Sequence, residues 1–175
     1  MDNGLLVQFR RAGREDMTSM WRVRTRAIQD IPRCHYGERD IARWASAPMP
    51  DGFGEVVAKM DVIVAERDGQ VVGWGFLDKS AARLEAIFVD PGSQRGGIAS
   101  RAVAILEGLA REAGIRRLSL SSTLNAVPFY ERMGFERRTA AKYRHAAGFD
   151  LDCVLIEKDL DRREDTDRKG EESQA

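Results

Sequence analysis

A glycine pair, Gly96-Gly97, stands between Val89-Asp90-Pro91-Gly92-Ser93-Gln94-Arg95 and Ile98-Ala99-Ser100. Glycine has no Cβ, so a ligand can approach its backbone closely; where such a pair opens a helix, the unpaired N–H groups of the first turn attract an anion. A pyrophosphate fits that chemistry, and so does the plainer use of glycine in a tight strand-to-helix connection needing positive φ. Two other phosphate patterns are excluded. No Gly-Lys-Ser or Gly-Lys-Thr follows, as a P-loop requires, and Gly92, Gly96 and Gly97 do not fit Gly-x-Gly-x-x-Gly. His35 and His145 lie far apart with no Ser or Cys in a nucleophile motif, which argues against a hydrolase triad. Cys34 and Cys153 have neither disulfide-framework nor zinc spacing, and no metal site is expected.

The elements around the pair must position it. Leu84 to Val89 reads as a strand running into the glycines. After them Ala102, Val103, Ile105, Leu106, Leu109 and Ala110 recur at helical spacing until Ala113-Gly114 caps the helix. Upstream, Leu5 to Arg10 reads as a first strand. Met17, Met20, Trp21, Arg24 and Ile28 recur at three and four residues, which predicts a helix from about Arg14 to Asp30. Ile41, Trp44 and Ala45 predict a second helix ending before Pro48, and Phe53 to Lys59 a third. Asp68-Gly69 between Val62-Ile63-Val64-Ala65-Glu66 and Val71 to Leu77 predicts a hairpin, because that turn needs the positive φ that Gly supplies. Downstream come a strand from Leu118 to Ser122, a short helix from Ala126 to Met133 stopped by Gly134, and a last strand from Leu151 to Lys158. Strict alternation along Leu84 to Val89 puts Glu85, Ile87 and Val89 on one face and Leu84, Ala86 and Phe88 on the other.

The 175 residues, 43% of them hydrophobic, suit one domain with a real core. Lys+Arg and Asp+Glu both number 28, so no global field draws nucleic acid or an anionic membrane. Free thiols, the absence of a basic n-region with a following apolar stretch, and the lack of a membrane-length apolar run lead us to expect a soluble, unexported protein of the reducing cytoplasm. The segment 161–175 is dense in charge without large apolar residues, and we expect a disordered tail after a domain spanning 1–160.

In that setting Val89, Pro91, Gln94, Gly97 and Ala99 resemble the acyl-CoA signature of the GNAT superfamily, an aliphatic residue and Pro followed by Gln/Arg-x-x-Gly-x-Gly/Ala. Asn125-Ala126-Val127-Pro128-Phe129-Tyr130-Glu131-Arg132-Met133-Gly134-Phe135 resembles the family's second segment, Ala-x-x-Phe-Tyr-x-x-x-Gly-Phe, in the expected order. The resemblance implies an α/β (α+β) GNAT fold with a mixed central sheet flanked by helices, and acetyl-CoA as cosubstrate. It assigns the CoA pyrophosphate to Gln94, Arg95, Gly96, Gly97, Ile98, Ala99 and Ser100, and the pantetheine arm to the backbone of Ile87, Phe88 and Val89. Asn125 stands where it can add a pantetheine hydrogen bond, although many relatives carry their Asn at the position that is Thr123 here.

By the same resemblance the chemistry is acetyl transfer to an amine by direct attack in a ternary complex. The Val89 N–H binds the thioester carbonyl, and Tyr130 protonates the departing thiolate. An ammonium has a pKa of about 10.4, so a base must take its proton near neutrality; Glu85 is the candidate, the alternative being a strand Glu paired with Arg83 or Lys79. Arg26, Asp30, His35, Tyr36 and Trp44 fall in the region that lines the acceptor pocket in the family, or else pack and face water. GNAT proteins are often homodimers, an assembly open to this chain. A module that binds acetyl-CoA without turnover is the second reading of the same residues.

Overall fold

Val62 and Val64 bury one way and Ile63 the other, so their strand is covered on both faces. The computed structural model, which describes residues 6–161, builds a seven-stranded sheet around that strand. Its strands are β1 (Gln8–Arg11), β2 (Asp61–Arg67), β3 (Gln70–Asp78), β4 (Arg83–Val89), β5 (Arg117–Thr123), β6 (Glu136–Arg144) and β7 (Asp150–Asp159), in the order β1-β2-β3-β4-β5-β7-β6. Every pairing is antiparallel except β4 with β5. On one face lie α4 (Ile98–Glu112) and α5 (Val127–Arg132), whose Val103, Leu106 and Tyr130 pack on Leu77, Leu84, Leu118 and Ile156. The other face carries α1 (Met17–Gln29), α2 (Glu38–Ala45) and α3 (Phe53–Lys59). Each fully buried aliphatic side chain in these layers contributes roughly 1.5–3 kcal/mol.

Several expectations are corrected. β1 begins at Gln8 rather than Leu5, which lies outside the described residues, and Leu6 is exposed. The long first helix opens as a separate 3-10 turn, Arg14–Asp16: Asp16 accepts the Gly13 N–H at 2.8 Å and is gripped by Arg10 at 2.7 and 2.8 Å, which holds its carboxyl below the usual range. β6 had no sequence signal. It is an edge strand exposed along nearly its whole length, so it needs no apolar alternation, and its charges discourage pairing with another chain. Of the expected tail, only Asp161 is described. No helix among the described residues is long and apolar enough to cross a membrane.

The site depends on an irregularity in β4. Ala86 pairs with Phe76 but Leu84 pairs with Leu77, so Glu85 is one extra residue, a β-bulge. The bulge resets the alternation. Leu84 and Ile87 both face α4, while Ala86 and Phe88 face α1, which overturns the expectation that Glu85, Ile87 and Val89 share a face. Glu85 pairs with Arg83 (3.1 Å), whose guanidinium also donates to Ser121 Oγ at 2.8 Å, on the face away from Leu118 and Leu120. It therefore belongs to the side of α1 and α2. Just before the bulge, pairing with β5 ceases: Arg83 opposite Ser119 is the one registered position between the two strands.

A nearly buried ion pair fastens the helices that flank this opening. Lys158 of β7 donates to both carboxylate oxygens of Glu107 on α4 (2.9 and 3.1 Å) and to the Met133 carbonyl just after α5 (2.7 Å). Lys158→Met leaves the buried Glu107 carboxylate with only Arg111, and we predict a loss of about 3 kcal/mol in urea unfolding. A loss below about 1 kcal/mol contradicts this role of the pair.

Candidate active site

Gly97 precedes α4 in the left-handed region, φ 71°, where an L side chain is strained. Arg95 takes the same region, φ 65°, at a cost of about 1 kcal/mol for a residue with a Cβ. The Asp90 carboxylate accepts the Gly92 N–H (3.0 Å) and receives Arg26 (3.3 Å), which fixes the start of the turn. Together these orient the helix end. Its first intrahelical bond runs from the Arg101 N–H to the Gly97 carbonyl (3.0 Å), so the N–H groups of Ile98, Ala99 and Ser100 have no acceptor among the described residues. Fifteen residues of aligned peptide dipoles add partial positive charge there. Arg67, which the sequence reading missed, reaches the same turn from β2, with Nη1 3.4 Å from Ser93 Oγ. Its only sequence signal was a cation bordering the Asp68-Gly69 turn.

The open edge of β4 continues this site. The Asp90 N–H bonds the Val72 carbonyl (2.8 Å), which sets the phase of the antiparallel ladder: Phe88 and Ala86 bond β3, whereas the N–H and C=O groups of Ile87 and Val89 point toward β5. β5 has parted from β4 there, so these groups face the gap. Asn125, between β5 and α5, has its Oδ1 buried without a partner. An orphaned acceptor at the end of β5 and an unpaired edge on β4 are groups that a chain of amides such as pantetheine satisfies. The residues present fit acetyl-CoA, whose anionic and amide-bearing parts would meet these two features.

Tyr130 lies on α5 with its ring edge-on to Phe129 and Phe135 and only 8% of its surface exposed. Burial raises its pKa, so the hydroxyl keeps its proton throughout the neutral range. Glu85 is exposed and bound to Arg83; Lys79 pairs instead with Asp61.

The five acceptor candidates part company. Tyr36 and Trp44 are buried together over Phe88 and Leu124, and the Tyr36 hydroxyl donates to the Asp152 carbonyl (2.6 Å) while accepting the Leu124 N–H (3.0 Å). Asp30 and His35 are exposed around the turn between α1 and α2, and Arg26 is engaged with Asp90. A residue not singled out beforehand lies in this layer: Arg24, 4% exposed, donates to the Trp44 carbonyl (3.0 Å), stacks 4.3 Å over Trp21 and leaves Nη1 buried without a partner.

Residues 33–149 match the family model described as acetyltransferase (GNAT) domain. The chain belongs to the GNAT family. It is 30% identical over 130 residues to the uncharacterized N-acetyltransferase YafP of Escherichia coli (strain K12), covering 74% of this chain and 81% of that one. Solved structures share the GNAT fold. A GCN5-related N-acetyltransferase from Rhodopseudomonas palustris superposes with TM-score 0.80 at 19% identity, over 87% of this chain and 95% of its own. The PaiA N-acetyltransferase from Thermoplasma acidophilum, solved with coenzyme A, gives 0.66 at 15%, over 88% and 99%. Membership makes this GNAT protein an acyl-CoA-dependent acetyltransferase.

Asn125→Ala separates ligand binding from folding. Its Oδ1 satisfies nothing in the free protein, so unfolding free energy should change by less than about 0.5 kcal/mol, while CoA affinity falls about tenfold in calorimetric titration. Equal affinity, or a large loss of stability, contradicts the assignment.

Proposed function

We propose that this protein transfers the acetyl group of acetyl-CoA directly to an amine in a ternary complex. The observation that carries the reading is the continuity of unmet backbone groups, from Ile87 and Val89 on the open edge of β4 to Ile98–Ser100 at the α4 terminus. One extended, anion-ended ligand spans both. Homologous folds support it, since the PaiA relative was solved holding coenzyme A.

In this reading the backbone of Gln94 to Ser100 holds the pyrophosphate, with Arg95 and Arg67 adding charge. The Val89 N–H holds the thioester carbonyl and, as the amine attacks, the oxyanion that forms from it. Phe88, expected to pair with the pantetheine arm, instead spends its backbone groups on β3 and turns its side chain to the acceptor layer, which leaves the arm to Ile87 and Val89. Glu85, which the bulge aims toward that layer, takes the ammonium proton, directly or through water. The nitrogen then bonds the acetyl carbon and sheds its second N–H proton, the C–S bond breaks, and the sulfur takes a proton from the Tyr130 hydroxyl, which that second proton restores through water. A thiol with a pKa near 8.5 leaves fairly readily, so Tyr130 assists without being indispensable. Asp30, His35, Tyr36 and Trp44 border the acceptor's approach, and Arg26 acts through Asp90.

Thiol release from acetyl-CoA across an amine panel tests the activity. With an accepted amine, Tyr130→Phe should lower kcat about ten- to thousand-fold with acetyl-CoA affinity retained; unchanged turnover removes Tyr130 from the chemistry. Glu85→Gln should lower kcat about a hundredfold or more, most at the lower pH values where the amine is protonated. Equal loss at every pH points instead to a structural Arg83–Glu85 pair.

A further inference from the structure

Arg24 is a cation without an anion. No Asp or Glu oxygen lies within salt-bridge reach of it among the described residues, although burial of an unpaired charge costs several kcal/mol. That burial pulls the guanidinium down to about 10, short of neutralising it. Besides the Trp21 ring beneath it, the guanidinium meets His145, from the turn joining β6 to β7, with Nε2 3.4 Å from Arg24 Nη2. His145 does not relieve the charge. Its Nδ1 accepts the Ala147 N–H at the shorter distance of 3.1 Å, so in the neutral ring the proton sits on Nε2 and meets Arg24 donor to donor. Burial and the Arg24 charge both push the imidazole pKa down, in keeping with a neutral ring. Arg24 Nη1, Arg24 Nη2 and His145 Nε2 thus converge with the Trp44 carbonyl as their single acceptor. A second cation, Arg43, lies 4.9 Å over Phe149, which itself stacks on His145.

We propose that Arg24 and His145 bind a carboxylate carried by the acceptor, so that the amine acetylated belongs to an amino acid or another amino carboxylate. A carboxylate offers two oxygens to the converging donors, and the charge-assisted bonds replace the contacts the guanidinium lacks. The position suits an acceptor: Arg24 bonds Trp44, whose cluster packs on Phe88, the β4 residue between the two with open backbone groups. The identity of the bearer rests on the acetyl transfer proposed above; the carboxylate site does not.

Turnover of the full-length protein is measured with the twenty α-amino acids and with β-alanine, each against its primary amide, and with phosphoethanolamine against ethanolamine. The expected result is a preference of about ten- to a hundredfold in kcat/KM for carboxylates over amides, collapsing toward parity in Arg24→Met and partly kept in Arg24→Lys. Acetyl-CoA affinity should be the same in all three, and the melting temperature of Arg24→Met no lower than wild type, since an unpaired buried charge is lost. Amides acetylated as well as acids by the wild type, a preference surviving Arg24→Met, or preference for the phosphate ester alone overturns the proposal. Should no amine be acetylated, titration of N-acetyl amino acids and their amides into the protein with CoA still decides: tighter binding of the acids that depends on Arg24 upholds the site while the transfer reading fails. Equal binding of acids and amides by the wild type rejects the site outright, whether or not Arg24→Met folds.

Discussion

The parting of β4 from β5 is the constraint from which the rest of this structure follows. A strand in the middle of a sheet normally spends its backbone donors and acceptors on both neighbours, and buried polar groups left unmet are costly. Here pairing between the two strands stops at Arg83 and Ser119, and the groups of Ile87 and Val89 face a gap. The bulge at Glu85 explains the divergence locally, because an inserted residue bends its strand and sharpens the twist. It does two further things. It returns Ile87 to the α4 core, where Leu106 packs, and it carries Glu85 to the opposite face, the side of α1 and α2.

The two faces thereby divide the labour. On the α4 side lie the groups that the proposal gives to the donor: the helix terminus, and Tyr130 held in a ring cluster with Phe129 and Phe135. On the α1 side lie aromatic packing and an uncompensated charge. From that side the Tyr36 hydroxyl joins Leu124 at the end of β5 to Asp152 in β7. Ile28, Trp44 and Phe149 pack as one layer over Phe88 on that side.

What was legible in the sequence was what rests on local spacing. Gly96-Gly97 before a helical stripe, Asp68-Gly69 between β-branched runs and Gly134 after a short helix all meant positive φ, and each has it except Gly96, whose partner Arg95 takes the turn's left-handed step instead. What was not legible depends on pairing across the chain. A bulge is a mismatch between two strands, so the alternation of β4 alone misassigned Glu85. β6 is exposed on both faces and carries no period. Arg24 did leave a trace, as the one charge in the stripe Met17, Met20, Trp21 and Ile28, yet its isolation became visible only when the turn at His145 folded over it.

The most direct measurement is residue-resolved amide hydrogen exchange with and without acetyl-CoA. If the ligand completes the open strand edge, the amides of Ile87, Val89, Ile98, Ala99 and Ser100 should slow by about tenfold or more on binding, while that of Phe88, already bonded to β3, changes little. Exchange at Ile87 and Val89 that is unaffected by saturating acetyl-CoA would contradict the role given to the parted strands.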